Sequence, residues 1–123
     1  METFNETPWI FEDQLLRAAL DVISISADRT VFVVSQNYQL KGVISEGDIL
    51  RAYSKGQLPN TPAIDIMTRL PVYLSVEADE IEICNLFVKA GILLIPIVDS
   101  SGVLVGSQSV RSVVKILLAK LIR

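Results

Sequence analysis

The residues best suited to chemistry are Ser45 and Asp48, three positions apart in the segment Gly42-Val43-Ile44-Ser45-Glu46-Gly47-Asp48-Ile49. A serine followed three residues later by an acid is typical of a helix start, where both side chains cap free backbone N–H groups. The same carboxylate could accept hydrogen bonds from both hydroxyls of a ribose, and the helix start could contact a phosphate. The pattern therefore leaves two interpretations open, a ligand contact or a cap alone.

Few other residues suggest a reaction. The chain of 123 residues has no histidine and one cysteine, Cys84, which excludes imidazole catalysis, an intrachain disulfide and a thiolate zinc site. Cys84 is predicted to be a small core residue. The acids between Glu77 and Glu82 lie at a predicted helix start, where they favour the helix dipole, so we expect no metal site. The sequence predicts a protein that is not an enzyme and requires no cofactor.

Charge and hydropathy narrow the choice of partners. The chain has 11 Lys and Arg residues against 14 Asp and Glu, which argues against a nucleic-acid binder because phosphate contacts need clustered cations. Lys115 and Lys120 interrupt the best candidate for a membrane span, and the polar start of the chain is not typical of a secretory signal. We therefore expect a cytoplasmic protein without a membrane or nucleic-acid partner.

The sequence repeats itself at an offset of 64 positions, so that segment 31–35 aligns with segment 95–99. The two copies span residues 1–56 and 63–123, and a polar, Pro-containing linker at 57–62 joins them. Neither copy can bury its sheet alone, so we expect the two to pack against each other.

Each copy has the pattern of a short strand, a helix, two strands and a second helix. The predicted helices cover 15–23 and 79–90, the predicted buried strands cover 30–34 and 94–98, and the last helices start at Ser45 and Ser109. Trp9 and Tyr73 occupy equivalent positions in the two opening strands, and core packing is expected for both. The predicted fold class is α+β, with two β-α-β-β-α repeats packed sheet to sheet about a pseudo-two-fold axis.

Three motifs point to one family: the segment 42–49, the strand Ile95-Pro96-Ile97-Val98-Asp99, and Asp65-Ile66-Met67-Thr68 at the start of the second copy. In this order and spacing, they resemble a tandem pair of cystathionine-β-synthase (CBS) domains, a Bateman module, over essentially the whole chain. The resemblance implies a regulatory module that binds an adenosine-containing ligand of the AMP, ADP, ATP or S-adenosylmethionine class between the copies. In the family, the aspartate contacts the ribose and the nearby Ser or Thr contacts the phosphates.

By this resemblance, the ligand-binding residues of the better cleft are Ile44, Ser45, Asp48, Pro62, Ala63, Met67, Ile92, Leu93 and Pro96. The opposite cleft combines Gln108, Ser109 and Ser112 with Thr30, and Ser112 stands where the family has its aspartate. We therefore expect that cleft to lack a carboxylate, and at most one good nucleoside site per chain. Gln108 either contacts a ligand there or satisfies backbone groups. The second copy has the capping serine at Ser109 but a serine, Ser112, in place of the acid. Because that copy is expected to fold without a carboxylate at this position, the comparison of the two copies favours a ligand role for Asp48.

Phosphate recognition is the weak part of the predicted site. The stretch 91–94 is wholly apolar, where many members of the family place a basic or polar residue. Arg51 and Arg69 could substitute for it, or both could be solvated surface residues. The apolar rim suits adenine or adenosine better than a triphosphate, so the sequence argues against tight ATP binding.

The last helix is more apolar than one half can cover; its apolar residues are Val110, Val113, Val114, Leu117, Leu118, Leu121 and Ile122. Such a helix usually meets a partner, so we expect a homodimer, and the family implies an attached or associated protein that is regulated. The alternative is a purely structural dimerisation module with a degraded nucleotide site. The segments 47–52 and 65–68 also resemble modules fused to sugar-phosphate isomerases and sugar nucleotidyltransferases, which would make the chain a fragment of a larger enzyme.

Overall fold

The computed structural model describes residues 1–69 and 72–122, and these residues form eight strands and four α-helices. In chain order the elements are β1 (Glu2–Thr3), β2 (Trp9–Phe11), α1 (Leu16–Ile25), β3 (Thr30–Val34), β4 (Leu40–Ser45), α2 (Glu46–Ser54), β5 (Thr68–Arg69), β6 (Leu74–Ser75), α3 (Glu80–Ala90), β7 (Leu94–Val98), β8 (Leu104–Ser109) and α4 (Val110–Leu121). Short 3₁₀ turns at Phe4–Glu6 and Ala63–Asp65 precede β2 and β5. The predicted α+β class is confirmed, and the predicted elements occur in the predicted order in both repeats. Two short strands that were not predicted, β1 and β5, precede them, and α1 ends at Ile25 rather than at residue 23.

The strands form two four-stranded sheets, in the orders β2-β3-β4-β5 and β6-β7-β8-β1. Within each sheet the first pair is parallel and the remaining pairs are antiparallel. The edge strand of each sheet comes from the opening segment of the other repeat: β5 pairs with β4, and β1 pairs with β8. The two repeats are therefore joined by exchanged edge strands as well as by packing.

Two glycines allow the exchanged strands to approach closely. A Cβ atom at Gly42 would lie 2.7 Å from the carbonyl oxygen of Thr68, and one at Gly106 would lie 2.6 Å from that of Glu2. Both distances are shorter than a carbon and an oxygen can tolerate, so a side chain would push β5 or β1 away. Because Gly42 and Gly106 are repeat equivalents, the two edges are built in the same way.

The core has three layers of apolar contacts. Val31, Val33 and Ile44 face α1 on the outside of the first sheet, and Ile95 and Ile97 face α3 and α4 on the outside of the second. Between the sheets, Phe32 and Val34 meet Leu94 and Leu104. The alternation along β3 therefore sends residues 31 and 33 to the helices and residues 32 and 34 to the other sheet. This arrangement is the predicted packing of sheet on sheet.

An aromatic cluster closes one end of the interface between the sheets. The ring of Trp9 lies 5.3 Å from Phe4, 5.0 Å from Phe11 and 5.5 Å from Tyr38, between centroids. Tyr38 adopts a left-handed conformation with φ 64°, which is strained for a residue with a bulky side chain. The aromatic contacts of the Tyr38 ring offset this backbone strain.

Core packing was the expectation for both Trp9 and Tyr73, and for Tyr73 it is wrong. Trp9 packs in the inter-sheet core, whereas Tyr73 is 60% exposed. Two of the aromatic partners of Trp9 are Phe11 and Tyr38, and their repeat equivalents are Ser75 and Gly102. The second repeat has no ring at these two positions to pack against Tyr73.

Within residues 1–69 and 72–122, no helix is both long enough and apolar enough to cross a bilayer.

Candidate functional site

A cavity of about 280 Å³ lies where the two repeats meet at the start of α2. The first repeat and β5 supply Thr30, Phe32, Val43, Ser45, Asp48 and Thr68, and the second repeat supplies Val72, Ile92, Leu93, Leu94 and Pro96. Thus one wall is polar and hydrogen-bonded, and the other is apolar. We call this space the first cleft.

Asp48 is the centre of the polar wall. Its side chain is 4% exposed, and its Oδ2 accepts hydrogen bonds from the backbone N–H of Ser45 at 2.9 Å and from the Ser45 hydroxyl at 3.1 Å. Its Oδ1 accepts from the Thr68 hydroxyl at 2.9 Å and from the Arg51 guanidinium. The residue is therefore both the acidic member of the α2 capping box and the contact between α2 and the exchanged strand β5.

These four donors use the whole acceptor capacity of the carboxylate, because each oxygen offers two lone-pair positions. A ligand hydroxyl can reach Asp48 only by replacing one of them. Arg51 is the donor that can leave most easily, since its side chain is 62% exposed and water can take over its hydrogen bonds. Ser45 and Thr68 are fixed by the helix start and by strand pairing.

The structure brings together five of the nine residues that the sequence assigned to a ligand. Ser45, Asp48, Ile92, Leu93 and Pro96 line the first cleft. The remaining four lie elsewhere: Ile44, Ala63 and Met67 pack in the core beneath α1, and Pro62 forms an isolated bridge with Leu15.

Strand geometry explains why Ile44 lies outside the first cleft. Successive residues of a strand point to opposite faces of the sheet, so Val43 and Ser45 face the first cleft while Ile44 faces the helix.

Sequence reasoning missed several of the lining residues. Thr68 is the most informative, because it ends the Asp65–Thr68 motif and donates directly to Asp48. Val43 could have been found from the two-residue alternation with Ser45. Thr30, which the sequence assigned to the opposite cleft, lines the first cleft instead, and it lies with Phe32 on the neighbouring strand of the same sheet. The approach of Val72 and Leu94 depends on how the two repeats pack, which no local pattern indicates.

A second cavity, of about 290 Å³, lies at the equivalent position near the start of α4. Its lining includes Glu2, Glu6, Asp28, Ser107 and Arg111. We call this space the second cleft. It is more polar than the first and carries three acids and one cation among these five residues.

The expectation that the second cleft lacks a carboxylate is wrong. Glu2, on the exchanged strand β1, accepts hydrogen bonds from the Ser109 backbone N–H at 3.2 Å and from the Ser109 hydroxyl at 2.9 Å. It also accepts from the Ser112 hydroxyl at 2.6 Å. The side chain of Glu2 therefore takes the place that an aspartate at position 112 would fill.

The two clefts contain the same contact with the partners exchanged. In the first, the acid lies on the helix at Asp48 and the hydroxyl lies on the edge strand at Thr68. In the second, the hydroxyl lies on the helix at Ser112 and the acid lies on the edge strand at Glu2. The strand registers support this equivalence, because Thr68 is opposite Val43 and Glu2 is opposite Ser107, the repeat equivalent of Val43.

The environment of Glu2 favours its ionised form. Burial acts to raise the pKa of this carboxyl, but the hydrogen bonds from Ser112 and Ser109 outweigh burial and hold the pKa below the ordinary value of 4.5. The group is therefore charged at neutral pH and acts as an internal anion at the start of α4, where the helix dipole also favours negative charge.

An ion pair spans the second cleft between the repeats. The Arg111 guanidinium donates to both carboxylate oxygens of Asp28, at 3.3 and 3.0 Å. Hydrogen bonding to Asp28 raises the pKa of Arg111. Gln108, which the sequence also assigned to this cleft, is buried and donates to the Ser109 carbonyl at 3.2 Å, as the backbone interpretation predicts.

Comparison with known proteins gives a consistent result. The family model described as "CBS domain" matches residues 5–55 and 63–119. The magnesium transporter MgtE of Thermus thermophilus is 33% identical over 86% of this chain, and the chain spans 22% of its length. The cytosolic domain of the Mg²⁺ channel MgtE in complex with ATP has a TM-score of 0.76 at 26% identity, covering 94% of this chain and 46% of that chain. CBSX2 in complex with AMP has a TM-score of 0.86 at 20% identity, covering 100% of this chain and 95% of that chain.

Proposed function

The chain belongs to the CBS domain family, and from this premise we propose that it is a non-catalytic regulatory module. In this proposal it binds an adenosine-containing ligand in the first cleft and acts as a homodimer. The observation that carries the proposal is the first cleft itself, which places an apolar wall opposite a carboxylate at a helix start.

The chemistry of the first cleft suits a nucleoside. An adenine ring can lie against Ile92, Leu93 and Pro96, where it is shielded from water. One ribose hydroxyl can donate to Asp48 in place of Arg51, and a short phosphate group can reach the backbone at the start of α2. The MgtE domain that resembles this chain is in complex with ATP, which supports a ligand of the adenine-nucleotide class.

The same geometry favours adenosine or AMP over ATP. The cavity of about 280 Å³ is at the lower limit of ligand pockets. Among the lining residues that the structure describes, Asp48 carries a charge and it is negative. Arg51 contacts that carboxylate, and Arg29 is paired with Glu46 at 3.0 Å. A triphosphate would therefore meet few free cations.

A second candidate function is a structural dimerisation module with a degraded nucleotide site. The observation that favours it is the saturation of Asp48 by donors of the chain itself. In that case the carboxylate is a cap and a link to β5, and the cavity has no physiological ligand.

Titration calorimetry of the full chain with adenosine, AMP, ADP, ATP and S-adenosylmethionine distinguishes the two. The ligand proposal predicts binding of AMP, weakened at least about tenfold in Asp48→Asn, which corresponds to about 1.4 kcal/mol. It also predicts that Arg51→Ala binds adenosine more tightly, because one acceptor position on Asp48 becomes available. The dimerisation alternative predicts no heat of binding with any of the five.

Asp79→Asn is the matched control. Asp79 also caps a helix, accepting from the Glu82 backbone N–H at 2.9 Å, but it lies outside the residues that line the first cleft. Its substitution should leave the affinity for AMP unchanged. Equal weakening by Asp48→Asn and Asp79→Asn would show that loss of a negative charge at a helix start, and not loss of a ligand contact, is what the titration measures.

The proposed dimer uses the apolar outer face of α4. Leu118 is 49% exposed and Leu121 is 79% exposed, although Val113 and Leu117 of the same helix pack against the second sheet. Apolar side chains this exposed on one helix favour a partner surface. A second copy of the chain would cover them by placing the two α4 helices in contact.

Analytical ultracentrifugation at micromolar concentration tests the dimer. The wild-type chain should sediment as a dimer, and Leu118→Glu should shift it to monomer because a charge would be buried in the contact. Lys115→Glu, an exposed position on the same helix, is the control for charge alone. A wild-type chain that sediments only as monomer would contradict the proposal.

A further inference from the structure

We propose that the second repeat binds an extended segment of a partner protein in a groove between α3 and α4. The groove begins at the loop 76–79 before α3 and lies on the helix side of the second sheet. The first cleft lies between the two sheets, so the proposal goes beyond the nucleotide site and does not depend on it. The first repeat supports the proposal, because a segment of the chain fills the equivalent groove there.

In the first repeat, the segment 59–64 lies in this groove in an extended conformation, antiparallel to the start of α1. The N–H groups of Ala63 and Ile64 donate to carbonyls of the loop before α1, at 2.7 and 3.2 Å. In return, the N–H groups of Leu16 and Arg17 donate to carbonyls of the segment, at 2.7 and 3.0 Å. The side chain of Ala63 is fully buried beneath α1. Backbone hydrogen bonds and one small apolar side chain therefore hold the segment, as in the binding of an added strand.

The second repeat presents the same four backbone groups. The accepting carbonyls correspond to those of Val76 and Ala78, and the donating N–H groups correspond to those of Glu80 and Ile81. Within residues 1–69 and 72–122, none of these four groups has a backbone hydrogen-bond partner. The side chains of Val76 and Ile81 are 54% and 72% exposed. A segment in the groove would satisfy these backbone groups and cover both side chains.

A slot between α3 and α4 marks where a side chain of the bound segment would enter. Its volume is about 110 Å³, and its lining residues are Glu80, Ile83, Gln108, Val113 and Ile116. Three of these have repeat equivalents in the core cluster that contains Ala63, namely Ala19, Ile44 and Ile49. At about 30 Å³ for a water-sized group, the slot has room for a side chain of about three or four non-hydrogen atoms.

Gln108 determines which side chain suits the slot. It is 4% exposed, and its Nε2 donates to the Ser109 carbonyl, but no group in the described part of the chain donates to its Oε1. Every fully enclosed side-chain oxygen of the described residues has a partner, so this Oε1 is accessible from the slot. A poorly solvated oxygen favours a hydrogen-bond donor. The partner segment is therefore expected to place a threonine or serine here, where the first repeat accepts Ala63 over Ile44.

Two peptides test the proposal, one with the sequence of residues 57–66 and one with the same sequence and Ala63→Thr. Each is titrated into the isotope-labelled full chain and followed by the NMR signals of its backbone amides. Both peptides should shift the signals of Glu80 and Ile81. The threonine peptide should bind about two- to tenfold more tightly, because it adds one hydrogen bond to Gln108. Gln108→Ile should remove this preference, since its slot would resemble that of the first repeat.

Ile116→Arg is the variant that blocks the slot. Ile116 lines the slot and is 45% exposed, so a long charged side chain there should weaken both peptides while the fold is kept. Val88→Arg is the matched control, because Val88 lies on α3, is 86% exposed and does not line the slot. Leu118→Glu, which alters the proposed dimer face, should leave the peptide affinity unchanged.

The outcomes separate this proposal from the proposed function. The absence of shifts at Glu80 and Ile81 with either peptide would overturn the proposal, and so would equal weakening by Ile116→Arg and Val88→Arg. Shifts at Leu16 and Arg17 instead would show that the peptide replaces the chain's own segment in the first repeat, which also overturns a site in the second. Each of these results leaves the expected binding of AMP in the first cleft unchanged.

Discussion

Asp48→Ser and Thr68→Glu should each destabilise the chain, whereas the two changes together should restore most of the lost stability. The double variant places in the first cleft the arrangement that Ser112 and Glu2 form in the second. The hydroxyl moves to the helix, the acid moves to the edge strand, and the hydrogen bond between them is kept with its direction reversed.

The expected magnitudes follow from the contacts. Asp48→Ser leaves the donors of Thr68 and Arg51 without their acceptor, which costs about 1 to 3 kcal/mol. Thr68→Glu places two carboxylates in contact, and at 4 Å with an effective dielectric constant of 20 their repulsion is about 4 kcal/mol. Protonation limits that repulsion, because keeping a glutamate with a pKa of about 4.3 neutral at pH 7 costs about 3.7 kcal/mol. The single variants should thus lose about 1 to 3 and about 3 to 4 kcal/mol.

Urea unfolding at fixed chain concentration and pH 7 measures all four members of this double-mutant cycle. The double variant should lie within about 1 to 2 kcal/mol of wild type, which requires a favourable coupling of at least about 2 kcal/mol. Arg69→Glu combined with Asp48→Ser is the control, since Arg69 follows Thr68 on the same strand and is exposed. A coupling below about 0.5 kcal/mol for Thr68→Glu, or an equal coupling for Arg69→Glu, would refute the equivalence of the two contacts.

Three further outcomes are expected. Folding lowers the pKa of Glu2, so the stability advantage of wild type over Glu2→Gln should be complete above the ordinary value of 4.5 and should disappear as the pH falls below it. Urea midpoints measured between about pH 3 and pH 7 check this. A difference between the two proteins that stays constant over this range would contradict it. Tyr38→Gly should lower the free energy of unfolding by about 1 to 3 kcal/mol, because the lost aromatic contacts outweigh the relief of left-handed strain; thermal unfolding that shows a gain would reverse this ranking. Ile44→Val should cost about 1 kcal/mol as a core change and leave the AMP dissociation constant unaltered in calorimetry, whereas a weakened affinity would place Ile44 in the ligand site.

Most of the fold could be predicted because the repeat and the apolar periodicity are local properties of the sequence. The strands at 30–34 and 94–98 agree with the structure to the residue, and the starts at Ser45 and Ser109 are the observed N-caps of α2 and α4. The exchanged strands β1 and β5 were not predicted. Each has two residues, which is too short for a period-two pattern, and each depends on a partner strand in the other repeat.

The site was predictable where a residue's direction follows from its own helix or strand. Ser45 and Asp48 were found from their spacing, and Pro96 was found from its motif. Ala63 begins a 3₁₀ turn and Met67 follows it, and this turn directs both side chains beneath α1; no pattern in the sequence indicates that direction.

The contact of Glu2 could not be found by aligning the repeats, because the gapless offset of 64 places Glu2 on Ile66 rather than on Thr68. The first copy has two additional residues between its edge strand and its opening core strand, where the turn Phe4–Glu6 lies. Structural equivalence therefore follows the strand register and not the alignment. The alignment of the repeats also explains why Ser112 suggested a missing carboxylate. The acid of this contact lies on the edge strand, at Glu2, and not on the helix.

This exchange changes the argument for Asp48. The sequence comparison favoured a ligand role because the second repeat seemed to fold without an acid at the helix start. Since Glu2 supplies that acid, both repeats keep a carboxylate there, and its presence at Asp48 is explained by folding alone. What distinguishes the clefts is the opposite wall, which is apolar at Ile92 and Leu93 in the first and carries Asp28 at the equivalent of Ile92 in the second. The case for a nucleoside in the first cleft therefore depends on that apolar wall and on the replaceable Arg51, and substitutions there test it more directly than substitution of Asp48.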